Sequence, residues 1–330
     1  MTFTMKPPDF PTIMQIEVNN FCNARCIMCP VPRMKRKHEI MDFALFEKVI
    51  NKIKIEKKDF SGWILPFMSG EPFLVPDYVD YLRLIRKRIP NAKIAVDTNA
   101  SVLTFETAEK IIDEELLDLL TISFDGGTKE AYESVRKGLS FEKVQHNIRS
   151  LLYLKATKKK RRPLVNIKMI LTPETFSSKE YFRLIFKEAD RLTFSVIHNW
   201  GGQIGLVNPL VRSNFCSFLF QTFPIQTNGN VVLCCMDYEG HEILGNVCEN
   251  SIREIWLGKE YQKRREYLDR RQFDKLPLCK NCSNLDRGLL VQQLAKIKTL
   301  LENRFPNYIY YNRVLFLERL RHFSEIFDKT

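Results

Sequence analysis

Three cysteines in the spacing C-x3-C-x2-C, Cys22, Cys26 and Cys29, constrain this chain more than any other feature. They lie within residues 20–38, NFCNARCIMCPVPRMKRKH, with polar residues among them and a basic run behind. A structural zinc site or a disulfide pair calls for an even set of thiols, so a trio points elsewhere. Three thiolates can hold three corners of a four-iron, four-sulfur cluster and leave the fourth iron open to a reactant.

The rest of the composition is compatible with such a centre. With 330 residues, 45% of them hydrophobic, the chain has room for a large domain and a small one. Phe3 and Met5 are followed at once by Lys6-Pro7-Pro8-Asp9, so no signal peptide is visible, and no apolar run approaches the roughly 20 residues that span a bilayer. A reducing, cytoplasmic compartment follows, where nine cysteines serve metals sooner than disulfides. Lys plus Arg outnumber Asp plus Glu by 51 to 39, which makes an anionic partner worth considering. The basic runs are scattered over 33–37, 86–88, 158–162 and 263–265 without interleaved aromatics, which speaks for solvated faces and against a nucleic-acid surface.

Between residues 13 and 198 strand and helix patterns alternate. A strand over 13–18 ends at the cysteine loop, and Asp42 then caps a helix with Leu45, Phe46, Val49, Ile50 and Ile53 on one face. Further strands are expected over 63–67, 93–96, 119–124, 165–171 and 192–198, with helices over 77–88, 104–115, 141–156 and 179–190 and a short turn before residue 141. Units of this length need parallel strands with right-handed crossovers, so the expected fold is α/β, a partial (β/α)6 TIM-type barrel. Chemistry in such barrels sits at the C-terminal strand ends. The unusual residues fall there: the cysteines, then Ser69-Gly70-Glu71-Pro72, Asn99, Ser123 with Asp125, and His198 with Asn199.

The cysteine spacing on a loop directly after a strand resembles the radical S-adenosylmethionine (SAM) superfamily. The resemblance implies that the amino and carboxylate groups of SAM chelate the open iron. One electron from the cluster, supplied by a donor such as flavodoxin or ferredoxin, then cleaves the sulfonium. The resulting 5′-deoxyadenosyl radical removes a hydrogen atom from substrate. Ser69-Gly70-Glu71-Pro72 resembles the family's GGEP motif for the SAM ammonium, with Ser69 in place of the first glycine. Ser123 matches the fourth-strand segment that reaches the cofactor, and Arg136 stands where relatives use an arginine for the SAM carboxylate. Asn99 joins these as a cofactor-binding residue, and Met28 is expected near the adenine.

The other six cysteines all follow the barrel. A hairpin is expected from 223–226 and 230–233, joined by Asn228-Gly229. Cys216, Cys234, Cys279 and Cys282 resemble the SPASM and twitch extensions of radical SAM enzymes, which implies one auxiliary four-iron cluster; zinc is the competitor at the same four thiols. Cys248 is expected to be a small buried hydrophobe. Cys235, next to a ligand on a strand, is expected to face the other way, toward the barrel mouth, as a hydrogen-atom donor or acid-base group. The domains are then 1–205 for the barrel, 206–287 for the auxiliary unit, and 288–330 for a helical extension with Phe316, Leu320, Phe323 and Phe327 on one face.

The implied activity is reductive SAM cleavage with hydrogen abstraction from a small polar substrate, namely a sugar, an aminocyclitol or a nucleotide-linked sugar, which is oxidised or epimerised. The alternatives are a peptide or protein maturase, weakened by the few residues ahead of the barrel, and, more remotely, a non-enzymatic iron-sulfur or zinc-binding interaction protein. Gly70, Glu71 and Arg136 argue against the last.

Overall fold

Aliphatic runs that end in polar tips become the strands of one sheet. The computed structural model describes residues 6–204 and 216–285. Six strands, β1 (Ile13–Ile16), β2 (Trp63–Leu65), β3 (Lys93–Thr98), β4 (Leu119–Ser123), β5 (Leu164–Leu171) and β6 (Arg191–Val196), lie in chain order, each parallel to the last. Parallel neighbours need a long crossover. Helices supply it: α1 (Phe43–Glu56), α2 (Tyr78–Arg88), α3 (Phe105–Asp113), α4 (Lys129–Val135), α5 (Phe141–Thr157), α6 (Pro173–Phe176) and α7 (Lys179–Ile185).

The first helix shows why these segments fold as they do. The Asp42 carboxylate accepts from the Ala44 and Leu45 backbone N–H groups at 2.7 and 3.4 Å, which caps two of the orphan donors at the helix start. Phe46, Val49, Ile50 and Ile53 then form one fully buried stripe. Burying four such side chains gains roughly 6–12 kcal/mol before conformational entropy is charged against it. Val49→Asp would place a carboxylate at a fully buried position and break the stripe.

Beyond β1 the sheet continues. After α8 (Ser217–Gln221), β7 (Thr222–Ile225) pairs parallel with β1 from Ile13↔Thr222 to Ile16↔Ile225. Strands β8 (Asn230–Val232) and β9 (Ile243–Asn246) follow antiparallel, so the sheet order is β6-β5-β4-β3-β2-β1-β7-β8-β9. The helices α9 (Ile252–Trp256), α10 (Lys259–Asp269) and α11 (Pro277–Lys280) complete the described chain, and Trp256 and Tyr261 bury their rings around Phe223. No helix among the described residues is long and apolar enough to cross a membrane.

The order of six parallel units matches the sequence expectation, with one correction that matters to the site. The short turn expected before residue 141 contains α4, whose stripe is too short to register as a helical period: only Tyr132 and Val135 are buried. Smaller corrections are that β3 runs on to Thr98 and that the helix expected over 179–190 stops at Ile185. The hairpin of β7 and β8 pairs through Ile225↔Val231. The expected boundary at residue 205 and the expected extension over 288–330 lie outside the described residues.

Candidate active site

Burial alternates along the cysteine loop: Ala24, Cys26 and Met28 are buried, whereas Asn23, Arg25 and Ile27 are exposed. The loop closes in a turn in which Cys29 N–H donates to the Cys26 carbonyl at 3.0 Å. Two backbone hydrogen bonds fix this arrangement, Arg25 N–H to the Lys137 carbonyl at 2.7 Å and Ile27 N–H to the Val135 carbonyl at 3.1 Å. The end of α4 thereby brings Arg136 beside the loop. Its Nη1 lies 3.5 Å from Cys26 Sγ, and its Nε donates to Asp125 Oδ2 at 2.6 Å. Asp125 is fully buried and also accepts from Ile170 N–H at 2.6 Å. Burial works against the Arg136 charge, yet Asp125 and Cys26 hold the guanidinium above its ordinary value.

The second strand tip is fastened to the first. A side chain at position 70 would put its Cβ 2.6 Å from both Asn19 Oδ1 and the Phe21 carbonyl, so only glycine fits. The Asn19 side chain donates to the Phe21 and Glu71 carbonyls at 3.1 and 3.0 Å. The carboxylate of Glu71 accepts from Thr98 Oγ1 at 2.6 Å and from Asn99 N–H at 2.7 Å, so it clasps the tips of β2 and β3 together. Burial pushes Glu71 up to about 7 despite these bonds. Asn99 in turn donates to Asn23 Oδ1 at 3.0 Å and approaches Cys22 Sγ at 3.5 Å.

These residues border a cavity of about 510 Å³. Cys22, Cys26, Cys29, Gly70, Glu71, Asn99, Ser123 and Arg136 all line it, as do Met28 and Cys235. Burial pushes the Cys22 thiol up to about 11 and the Cys29 thiol up to about 12. Thiols held this way keep their protons until a metal replaces them, and a guanidinium at hydrogen-bond reach of one sulfur suits a thiolate. The trio therefore fits a cluster with an open iron, and Gly70 lines the cavity beside it.

Sequence reading placed His198 at a strand end but missed its polar companions on the same cavity. Lys168 Nζ stands 3.7 Å from Asp97 Oδ2, and His198 completes the group. Burial, then the Lys168 charge, brings His198 down to about 4, so the imidazole is neutral at pH 7. Its Nδ1 accepts from Trp200 N–H at 3.4 Å, which leaves the proton on Nε2. Burial raises Asp97, and Lys168 opposes the rise. A lone lysine in the apolar strand VNIKMIL was the available signal for this group. Trp200 further donates from Nε1 to the Met28 carbonyl at 2.8 Å, tying the end of β6 to the cysteine loop.

The second cysteine set gathers by the loop that follows β6, where Asn199 meets residues 281–283. Cys216, Cys234, Cys279 and Cys282 are all partly buried. Burial, then the neighbouring Cys235, Cys279 and Cys216, raises the Cys234 thiol, and burial with Cys216 pushes Cys282 up to about 11. These mutual influences put the four thiols in one neighbourhood, a donor set that fits an iron-sulfur cluster or zinc. Among the described residues no three Cys, His, Asp or Glu side chains gather as tightly as a single metal ion requires. Asn199, expected at the cavity, instead clamps this turn: it donates to the Asn281 carbonyl at 2.6 Å and accepts from Ser283 N–H at 2.9 Å and Gly202 N–H at 3.1 Å. Cys248 is a correction, because its thiol is exposed. Its backbone N–H donates to Asn246 Oδ1 at 2.7 Å in a turn after β9 whose preceding residue, Val247, is the one that enters the core.

Comparison with known proteins agrees with both cysteine sets. The radical SAM superfamily model matches residues 16–185, and the SPASM model, an iron-sulfur cluster-binding domain, matches residues 216–283. The S-adenosyl-L-methionine-dependent 2-deoxy-scyllo-inosamine dehydrogenase of Niallia circulans is 24% identical over 276 residues, covering 83% of this chain and 93% of that protein. A crystal structure of BtrN in complex with AdoMet and 2-DOIA aligns at a TM-score of 0.60 with 22% identity, over 85% of this chain and 94% of that one. Streptococcus suis SuiB bound to precursor peptide SuiA aligns at 0.62 with 14% identity, over 87% and 73%. Both structural likenesses speak for the fold alone.

Proposed function

The chain belongs to the radical SAM superfamily, and from that premise we propose that it oxidises a small polyhydroxylated ring, an aminocyclitol or a sugar. It is a radical SAM enzyme of the oxidoreductase type, with a SAM-binding four-iron cluster and an iron-sulfur-binding SPASM domain. When bound, the cluster and SAM supply a 5′-deoxyadenosyl radical that takes a hydrogen atom from substrate. Cys22, Cys26 and Cys29 would hold that cluster, the carbonyls around Gly70 would receive the SAM ammonium, and Arg136 its carboxylate. Asn99 and Ser123 would complete the contacts, with Glu71 fixing the strand tips behind them. Oxidation also releases a proton and an electron from the substrate. Cys216, Cys234, Cys279 and Cys282 would hold one auxiliary cluster that supplies an electron acceptor. The electron for SAM cleavage would come from a flavodoxin or ferredoxin in the cytoplasm.

The observation that carries the substrate class is the polar group of Asp97, Lys168 and His198 on a cavity sized for small molecules. Asp97 holds the Lys168 ammonium in place at 3.7 Å, while the neutral His198 offers Nε2–H to a hydroxyl oxygen. Three unlike polar groups on one wall suit a ring that bears several hydroxyl or amino groups. The dehydrogenase of Niallia circulans, named for such a ring, supports this reading. Incubating the reconstituted enzyme with 2-deoxy-scyllo-inosamine and related polyols should yield 5′-deoxyadenosine together with a product lighter by two hydrogens. If every polyol is inert while a precursor peptide is modified, the enzyme is a maturase and the proposal fails.

Cys235 on the cavity favours a second reading, epimerisation, in which a thiol returns a hydrogen atom to the substrate radical through its weak S–H bond. Under it, product formed in heavy water carries deuterium, and Cys235→Ala stops product formation while 5′-deoxyadenosine persists. Deuterium-free, oxidised product would confine Cys235 to a packing role.

A further inference from the structure

We propose that Arg265 and the Tyr261 hydroxyl set the reduction potential of the auxiliary cluster, raising it so that the cluster accepts the electron of the substrate radical. The inference rests on the reading of Cys216, Cys234, Cys279 and Cys282 as ligands of that cluster.

The first support is a buried charge without its opposite. Among the described residues only one lysine, Lys155, and one arginine, Arg265, are buried as whole residues, at 9% and 6% exposure. Lys155 pairs with Asp190. Arg265 pairs with no carboxylate among the described residues: its Nε donates to the Leu219 carbonyl at 3.1 Å, its Nη1 to the Trp256 carbonyl at 2.8 Å, and its buried Nη2 has no acceptor. The rings of Trp256, Tyr261 and Phe220 surround the guanidinium at 4.1, 4.7 and 5.9 Å. Rings and carbonyls attract a cation but do not neutralise it. Burial brings Arg265 down to about 10, which leaves it charged at pH 7. Tyr261 is fully buried, and its hydroxyl also has no partner among the described residues.

The second support is position. Leu219, which Arg265 holds, belongs to α8, and its N–H donates to the Cys216 carbonyl at 3.2 Å, so the guanidinium braces the turn that starts at Cys216. The Tyr261 ring stacks on Phe223 of β7 at 6.1 Å, and β8 returns antiparallel along β7 toward Cys234. Cys234 lies within electrostatic reach of the Tyr261 hydroxyl. A four-iron cluster on four thiolates bears a net negative charge that grows by one unit on reduction, and net charge and hydrogen bonds to the sulfurs set its potential. A fixed cation beside it favours the reduced form, and so does a hydroxyl whose proton turns to a ligand sulfur. The thiolates in turn supply the negative charge that Arg265 otherwise lacks. In the step concerned the substrate radical loses one electron to the cluster and one proton to solvent, and no bond forms at the cluster. A unit charge acting across roughly 10–15 Å at an effective dielectric of about 20 changes such an equilibrium about tenfold.

The test is a redox titration followed by electron paramagnetic resonance, on the iron-loaded full chain with Cys22, Cys26 and Cys29 replaced by alanine, so that the auxiliary cluster alone is read. Arg265→Met should lower the ratio of reduced to oxidised cluster at a fixed potential about tenfold, a downward shift of about 59 mV for one electron. Arg265→Lys keeps the charge and should stay within about twofold of the background. Tyr261→Phe keeps the ring and its packing and should lower the ratio roughly fivefold, the effect of one lost hydrogen bond. Background potentials in both Arg265→Met and Tyr261→Phe overturn the proposal. So does an Arg265→Lys potential as low as that of Arg265→Met, because the shape of the side chain and not its charge would then matter. Should Arg265→Met hold no iron, Tyr261→Phe decides alone, and a background potential in it overturns the proposal. A background protein that takes up zinc and no iron would sink the auxiliary-cluster reading itself, a separate failure.

Discussion

Replacing Asn199 by alanine should release the auxiliary cysteine turn while leaving the barrel folded. The side chain makes two hydrogen bonds across the joint, to the Asn281 carbonyl and Ser283 N–H, and a third within its own loop to Gly202 N–H, and is only 4% exposed. At about 1 kcal/mol net for each bond across the joint, the loss is about 2 kcal/mol, and it falls locally on the turn that carries Cys279 and Cys282. Opening of that turn then becomes more frequent by about thirtyfold. The assay is iron release to a chelator in a background where Cys22, Cys26 and Cys29 are alanine, so that auxiliary iron alone is read. The Asn199→Ala protein should lose its iron about thirtyfold faster than the background. Asn199→Asp keeps both acceptor contacts and should fall between the two. Iron release at the background rate from Asn199→Ala would refute the clamp.

The triple alanine variant at Cys22, Cys26 and Cys29 should lose about four of about eight irons and all SAM cleavage; full iron or residual 5′-deoxyadenosine counts against the site. Arg136→Ala should weaken SAM binding with both clusters assembled, and equilibrium dialysis with labelled SAM reads it. Asp125→Asn should destabilise the protein by roughly 3–5 kcal/mol, because the Arg136 charge loses its buried partner, and urea unfolding measures this. For His198 the folded value, about 4, lies below the unfolded 6.5, so the unfolded chain binds more protons between them. Stability is therefore complete above pH 6.5 and declines as pH falls toward 4. Between pH 7 and pH 5 this group alone removes about 2 kcal/mol, and His198→Gln should abolish that part of the slope in urea titrations.

Sequence disclosed those parts of the molecule whose chemistry is local. The spacing of Cys22, Cys26 and Cys29 is meaningful without a fold, and the buried stripe of α1 follows from composition every third and fourth residue. Helix α4 escaped because a seven-residue segment with two buried positions has no period to detect. Yet that helix carries Arg136 to Cys26. The Asp97–Lys168 pair escaped for a different reason: it depends on two registers at once, Asp97↔Thr121 and Ser123↔Lys168. Asn199 was placed correctly at a strand end, but only the packed turn at residues 281–283 shows which way its amide faces. Cys248 was misread because thiol burial is a statistical tendency, and in the turn after β9 it is Val247 that takes the interior position.

The parallel addition of β7 to β1 explains how Cys235, beside one cysteine set, reaches the cavity that the other set lines. Chain direction puts the loop of Cys22, Cys26 and Cys29 at the C-terminal end of β1. The turn at Asn228-Gly229 reverses the chain, so β8 returns antiparallel along β7 and carries Cys234 and Cys235 back toward Thr222, the partner of Ile13. Ile13, Thr222, Cys235 and Met236 all line the cavity, and so do the three loop cysteines. Cys235, the neighbour of Cys234, thus borders the same cavity as the three loop cysteines and the Asp97, Lys168 and His198 group. Loss of the β1–β7 ladder would separate Cys235 from the loop cysteines altogether.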